Sequence, residues 1–130
     1  MVLVDSSIWI DHLRSPDARM VALLDSQQVC VHPWVTGELA CGNLADRAAL
    51  LFLLRSQPQV RVAPEVEVLF FIEQHHIFGK GIGYLDMHLL AAAALENLKI
   101  WTRDKRLEQV AALLGLSATA GNVTGVPPAQ

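Results

Sequence analysis

The chain has 130 residues, 52% of them hydrophobic, and a formal net charge of −3. That length suits one domain able to bury roughly two thirds of its extended surface without disulfide or metal staples. The apolar content excludes a disordered chain, no apolar run reaches the about 20 residues a membrane-crossing helix needs, and the mild acidity speaks against a surface that grips nucleic acid by general positive charge.

Met1 leads straight into an apolar triplet and Asp5 with no basic stretch, so no secretory signal is expected. Cys30 and Cys41 are the only cysteines and read as buried, reduced thiols of a cytoplasmic protein. Val2-Leu3-Val4 reads as a short, fully buried strand. Asp5-Ser6-Ser7 ends it, and Ile8, Trp9, Ile10 and Leu13 mark a short helix that breaks at Arg14-Ser15-Pro16. Residues 18–25 form a second helical piece and Val29-Cys30-Val31 a second strand. Pro33 suits the first turn of a helix that runs to about Gly42. Residues 44–55 have a clear helical period.

Val60-Arg61-Val62 reads as a third strand, ended by Pro64. Residues 66–77 are assigned to a helix, although 65–68 alternate as a strand would. Gly79, Gly81 and Gly83 make a flexible loop around Lys80. Residues 86–97 are the clearest helix and 98–101 the fourth strand. Asp104 opens a last helix to Leu114, stopped by Gly115, and 116–119 are a candidate edge strand. One domain over 1–120 with a Gly/Pro-rich tail over 121–130 follows. Strands alternating with helices predict an α/β fold with a parallel sheet covered on both faces, whose ligands sit at the carboxyl ends of the strands.

Asp5 directly follows the first strand, and Thr102-Arg103-Asp104 directly follows the fourth. Glu38 lies in the helix after the second strand, and Asp86 begins the helix before the fourth. The topology permits all four acids to meet at one edge without requiring it. If they meet, two carboxylates about 4 Å apart repel by about 4 kcal/mol at an effective dielectric near 20, which would raise at least one pKa. A hard divalent cation such as Mg²⁺ or Mn²⁺ relieves that repulsion and activates water at a phosphodiester. Ser6, Ser7 and Thr102 are candidates to orient the ligands. Taken one at a time, Asp5, Asp86 and Asp104 read more simply as helix caps, and Glu38 as a solvated helix residue. The case for a site is the joint one.

Four segments then carry a resemblance: Val2-Leu3-Val4-Asp5-Ser6-Ser7, Pro33-Trp34-Val35-Thr36-Gly37-Glu38-Leu39, Gly83-Tyr84-Leu85-Asp86-Met87-His88-Leu89-Leu90 and Trp101-Thr102-Arg103-Asp104. In this order, over almost the whole chain, they resemble the signature segments of PIN domains, and more narrowly those of VapC-type toxins. The resemblance implies a three-layer α/β/α sandwich around a parallel sheet, and Mg²⁺- or Mn²⁺-dependent cleavage of RNA by in-line attack of a metal-activated water. It also implies a homodimer silenced by a small VapB-type antitoxin. Asp5, Glu38, Asp86 and Asp104 match the acidic quartet and Thr102 the orienting hydroxyl. Asp5 and Asp86 are expected to ligate directly, with Glu38 and Asp104 holding water, a second ion or the ligands themselves.

Other residues invite plainer readings. Lys80, Arg103, Lys105 and Arg106 are candidate phosphate contacts or ordinary solvated cations, and Arg14 is a weaker one. His88 lies two residues past Asp86, about 200° around a helix, and is expected to pack rather than ligate. His75 and His76 diverge as helical neighbours do. Trp9, Trp34 and Trp101 can stack bases, though Trp101 reads as core. The apolar runs 50–54 and 69–72 exceed one helix face, which suits a dimer interface or a thick core. Three other functions compete. A receiver domain needs an aspartate ending the third strand, where Ala63-Pro64 stand. An Asp-x-Asp phosphatase fails on Ser7. A non-catalytic binding module keeping the same acids stays open.

Overall fold

Val2, Leu3 and Val4 are all fully buried although successive side chains of a strand point to opposite faces, so this strand must be covered on both sides. The computed structural model describes residues 1–119 and makes this strand, β1 (Val2–Val4), the middle of a parallel sheet in the order β2-β1-β3. Its neighbours are β2 (Val29–Cys30) and β3 (Lys99–Trp101), and the register sets Val4 beside Trp101. The expected tail over 121–130 lies outside the described residues.

Helices fill the connections: α1 (Ser6–Arg14), α2 (Ala18–Asp25), α3 (Pro33–Ala40), α4 (Arg47–Ser56), α5 (Glu65–His75), α6 (Tyr84–Glu96) and α7 (Lys105–Leu113). They cover the sheet as the α/β sandwich requires. Helix α6 is buried from Met87 through Ala93, so it serves as a core helix with no continuous wet face. The small side chains Ala91, Ala92 and Ala93 suit a helix packed on several sides. Among the described residues, no helix is long and apolar enough to cross a membrane.

Four elements differ from the sequence reading. The predicted third strand, 60–62, is not a strand: the chain touches β2's extension only at a Val31–Gln59 bridge, with Val31 N–H donating to the Pro58 carbonyl and Val60 N–H to the Val31 carbonyl. The reason lies in the partner. Strand β2 is only two residues long and α3 starts at Pro33, so little edge is left to pair with. Residues 116–119 likewise add a single bridge, Ile100–Ser117. Helix α4 begins at Arg47, after a turn, and not at Leu44. Helix α6 begins at Tyr84, which makes Asp86 its third residue. Cys30 is buried as expected, but Cys41 is exposed at the end of α3.

Candidate active site

The parallel register sets the ends of β1 and β3 side by side, and Asp5 N–H donates to the Trp101 carbonyl at 3.0 Å. Asp5 is therefore held one residue beyond the sheet, directly across from Thr102. Its side chain is 5% exposed. A carboxylate that deep needs donors, and two hydroxyls supply them: Thr102 Oγ1 donates to Asp5 Oδ2 at 2.7 Å, and Ser7 Oγ donates to the same oxygen at 2.8 Å. Each hydroxyl has one proton and spends it on Asp5, so the 3.3 Å approach of Ser7 Oγ to Thr102 Oγ1 is proximity without a proton between them. Both hydroxyls in turn accept backbone N–H groups, Thr102 from Asp104 and Ser7 from Arg103, each at 3.0 Å. This chain of bonds fixes Asp5 rigidly and leaves its Oδ1 without a donor among the described residues.

Asp5 stands at the N-cap of α1 but makes no side-chain cap bond there. The capping explanation of Asp5 fails. Asp104, in the same position before α7, does cap: its Oδ1 accepts from Arg106 N–H at 2.9 Å and Leu107 N–H at 3.1 Å.

Asp86 lies in the first turn of α6, half-buried. Burial, then the negative charge of Asp5 and next those of Asp104 and Glu38, pushes its carboxyl up to about 6, against a backbone hydrogen bond at Gly83 that favours ionisation. All three other acids of the sequence-derived quartet thus act on this one group, although they come from three different stretches of chain. Glu38 itself is exposed on α3. Among the described residues, no three His, Cys, Asp or Glu side chains are drawn close enough to form a ready-made metal cage. The all-oxygen donor set is the kind that hard divalent cations prefer. The residues present fit such an ion.

Beside Glu38 opens a cleft of about 530 Å³ whose walls include Ser6, Ile10, Leu13, Arg14 and Asn43. Ser6 thus faces the cleft while Ser7 orients Asp5. Arg103 behaves differently from its expected role as a phosphate contact. Its guanidinium bridges Asp11 at 2.7 Å and Asp17 at 2.6 Å, which ties α1, α2 and the β3–α7 corner together. Lys80 is exposed in the glycine loop. Arg106 packs against that loop, where a Cβ on Gly81 would meet Arg106 Nη1 at 2.9 Å and where φ is +79°.

His88 packs, as its spacing predicts: it is buried against Trp34 at 3.9 Å and Tyr84 at 4.7 Å between ring centroids, with His32 at 6.1 Å. This aromatic cluster between α3 and α6 is not legible from composition. The i,i+4 spacings Trp34/Glu38 and Tyr84/His88 were the available signal. His75 and His76 are exposed and end α5.

Known proteins resemble this chain in sequence and in fold. The PIN domain family model covers residues 2–113. The chain is 42% identical over 118 residues, 90% of its length and 95% of the relative's, to proteins named Ribonuclease VapC32 from two strains of Mycobacterium tuberculosis, CDC 1551 / Oshkosh and ATCC 25618 / H37Rv. Among solved structures it is similar to FitAcB from Neisseria gonorrhoeae, with a TM-score of 0.61 and 25% identity over 86% of this chain and 94% of that one. PAE2754 from Pyrobaculum aerophilum shares the fold, with a TM-score of 0.56 and 19% identity over 83% of this chain and 77% of that one. A buried, hydroxyl-held aspartate at the carboxyl end of β1 thus sits in a chain that belongs to the PIN-domain family, among its VapC-type members.

Proposed function

We propose that this protein is an endoribonuclease that hydrolyses RNA phosphodiester bonds at the Asp5–Glu38–Asp86–Asp104 edge of the sheet, with a divalent cation as cofactor. The observation that carries the reading is the buried Asp5 carboxylate at the end of β1, held through Oδ2 by Thr102 and Ser7; burial and the charges of Asp5, Asp104 and Glu38 raise the carboxyl of Asp86 as well. The 42% identity to proteins named ribonuclease supports the reaction class.

Asp5 and Asp86 would hold the cation, with Glu38 and Asp104 alongside, and Mg²⁺ or Mn²⁺ suits this donor set. Once bound, such an ion supplies activation of water and neutralisation of charge on the phosphodiester oxygens. The protein's own part is positioning. Thr102 and Ser7 hold Asp5 by Oδ2, so the Oδ1 lone pairs point to the same place whether or not RNA is present. Asp104 is anchored by Oδ1 on two α7 amides, which fixes the direction of its second oxygen. Glu38 and Ser6 face the cleft, which Arg14 also lines and where it would meet a phosphate, whereas Arg103 is engaged by Asp11 and Asp17.

We assign two partners to the same chain. An antitoxin of the VapB type, presenting Arg or Lys to the four acids, would block the site, in keeping with the net charge of −3. A second copy would cover part of the apolar surface on α4 and α5, where Phe52, Val66 and Phe70 are exposed. The setting is cytoplasmic. The test is RNA cleavage by the purified protein with and without EDTA: cleavage is expected to stop with chelator and return with Mg²⁺ or Mn²⁺. Cleavage that persists in EDTA would overturn the metal mechanism.

A further inference from the structure

Arg103 stands between Thr102 and Asp104, at the corner where the chain leaves β3 for α7. Its side chain is 40% exposed, yet both terminal nitrogens are spent on the protein's own carboxylates: Nη1 on Asp11 Oδ2 at 2.7 Å and Nη2 on Asp17 Oδ2 at 2.6 Å. Its Cζ also lies over the ring of buried Trp101, 5.8 Å from the centroid, which further limits where the guanidinium can go. The side chains of Asp11 and Asp17 are 43% and 22% exposed, and ion pairs so open to water contribute little to stability. A planar fork closed on two carboxylates from different elements serves geometry instead, because it fixes where three pieces of chain stand.

The backbone of the same residue shows what is fixed. Arg103 N–H donates to Ser7 Oγ at 3.0 Å, and Ser7 Oγ donates to Asp5 Oδ2 at 2.8 Å. A serine hydroxyl has one proton and turns freely unless its lone pairs are claimed. The Arg103 amide claims one of them, which leaves the proton for Asp5. Ser7 and Asp11 are four residues apart on α1 and lie on one stripe of that helix, about 6 Å apart along its axis. Arg103 therefore grips this stripe twice, by its amide at Ser7 and by its guanidinium at Asp11. The third hold is on Asp17, whose other oxygen is already committed: Oδ1 accepts from Met20 N–H at 2.9 Å as the cap of α2. Asp17 is tethered again through its own N–H, which donates to His12 Nδ1 at 3.0 Å. The carboxylate that meets Arg103 cannot swing away without breaking the cap.

We infer that Asp11, Arg103 and Asp17 form a clamp that positions the Asp5 carboxylate: it holds the β3–α7 corner against α1, so that the Arg103 amide keeps Ser7 aimed at Asp5 Oδ2. This rests on the ribonuclease reading, in which Asp5 holds the cation. The two roles open to Arg103 make opposite demands. A phosphate contact needs surface charge, which lysine supplies as well and which removing Asp11 and Asp17 would set free. A clamp needs the fork and both carboxylates, and an ammonium is a point charge that cannot span them in the same way.

The test compares the unaltered full chain with Arg103→Lys, with Arg103→Gln and with the double change Asp11→Asn and Asp17→Asn, which keeps an oxygen at position 17 for the α2 cap. Each is expected to lower kcat for RNA cleavage about tenfold with KM within about threefold, and to weaken Mn²⁺ binding in calorimetry about tenfold. Melting temperatures of the metal-free proteins should stay close to that of the unaltered chain. Ser7→Ala breaks the link to Asp5, so adding Arg103→Gln to it should change kcat and Mn²⁺ affinity by less than about threefold. Unaltered kcat and Mn²⁺ affinity in Arg103→Lys, or a KM that falls while kcat holds in the double aspartate change, would overturn the inference and return Arg103 to phosphate. Full additivity of Arg103→Gln with Ser7→Ala would overturn it as well. Should Arg103→Gln fold poorly, the double aspartate change decides, because it leaves Arg103 and the α2 cap in place. If the unaltered chain neither cuts RNA nor binds Mn²⁺, the ribonuclease reading falls; if it does both and the clamp variants match it, only this inference falls.

Discussion

Two corners of this molecule start alike and end differently. After β1 and after β3 the chain leaves the sheet, places an aspartate at the N-cap position and enters a helix. Asp104 uses Oδ1 as a cap would, on the amides of Arg106 and Leu107. The Asp5 side chain caps no amide of its own helix and takes its donors from the hydroxyls of Thr102 and of Ser7. Thr102 lies 97 positions along the chain, so the Asp5–Thr102 bond exists only once the sheet has formed. The difference teaches that local position does not decide what a carboxylate does. Where hydroxyl donors hold one oxygen and no local amide claims the other, the carboxylate is positioned by the sheet and not by the helix it precedes.

The largest effect expected from breaking this contrast is on catalysis at Asp5. Asp5→Asn should lower RNA cleavage about a thousandfold or more, the equivalent of several kcal/mol of lost charge stabilisation. Metal-free thermal stability should be unchanged or higher, because one of the mutually repelling charges is gone while the amide still accepts from Thr102. A clear loss of stability with activity retained would return Asp5 to a structural role.

Thr102→Val comes next. It removes one donor to Asp5 and strands the Asp104 N–H, so cleavage should fall about 10- to 100-fold and stability by about 1–2 kcal/mol in denaturant titration. At the other corner the two functions of Asp104 can be pulled apart. Asp104→Ala should cost about 1 kcal/mol of stability, as lost caps do, whereas Asp104→Asn keeps the cap and the stability. Both should impair cleavage. Full activity in the Asn variant would leave Asp104 as a cap alone.

The smallest effect is a pH dependence. The Asp86 carboxyl is raised from 3.8 to about 6 in the fold, so the native state holds its proton more tightly than the unfolded chain. The sign follows: stability of the metal-free protein should fall as pH rises from about 4 to about 6, then level off. Allowing for solvent around a half-buried group, the loss is about 1 kcal/mol. Asp86→Asn should flatten that slope, and thermal melts across this range, with EDTA present, would show it. An unchanged slope would mean that the pH dependence does not come from Asp86.

Much of this was legible in the sequence because it is written in short, ordered segments. A three-residue apolar run followed by Asp5, and Trp101-Thr102 followed by Arg103-Asp104, place two acids at strand ends whatever the rest of the chain does. What the sequence could not convey is partner geometry. Val60-Arg61-Val62 has the pattern of a strand, but its pairing depends on the length of β2, which is two residues. Arg103 sits beside Asp104 and looks available for phosphate, yet Asp11 and Asp17 claim it from α1 and from the cap of α2. Capping Asp104 and non-capping Asp5 are indistinguishable as letters. The Trp34–Tyr84–His88 contact joins helices 50 residues apart in sequence, and only packing reveals it.

The most direct test of the four-carboxylate site is a calorimetric Mn²⁺ titration of the unaltered chain against Asp5→Asn and Asp86→Asn. A single class of site should be present in the first and weakened at least tenfold in each variant, with melting temperatures no lower than that of the unaltered metal-free protein. Equal Mn²⁺ binding by all three proteins would contradict the convergence of these acids on one ion.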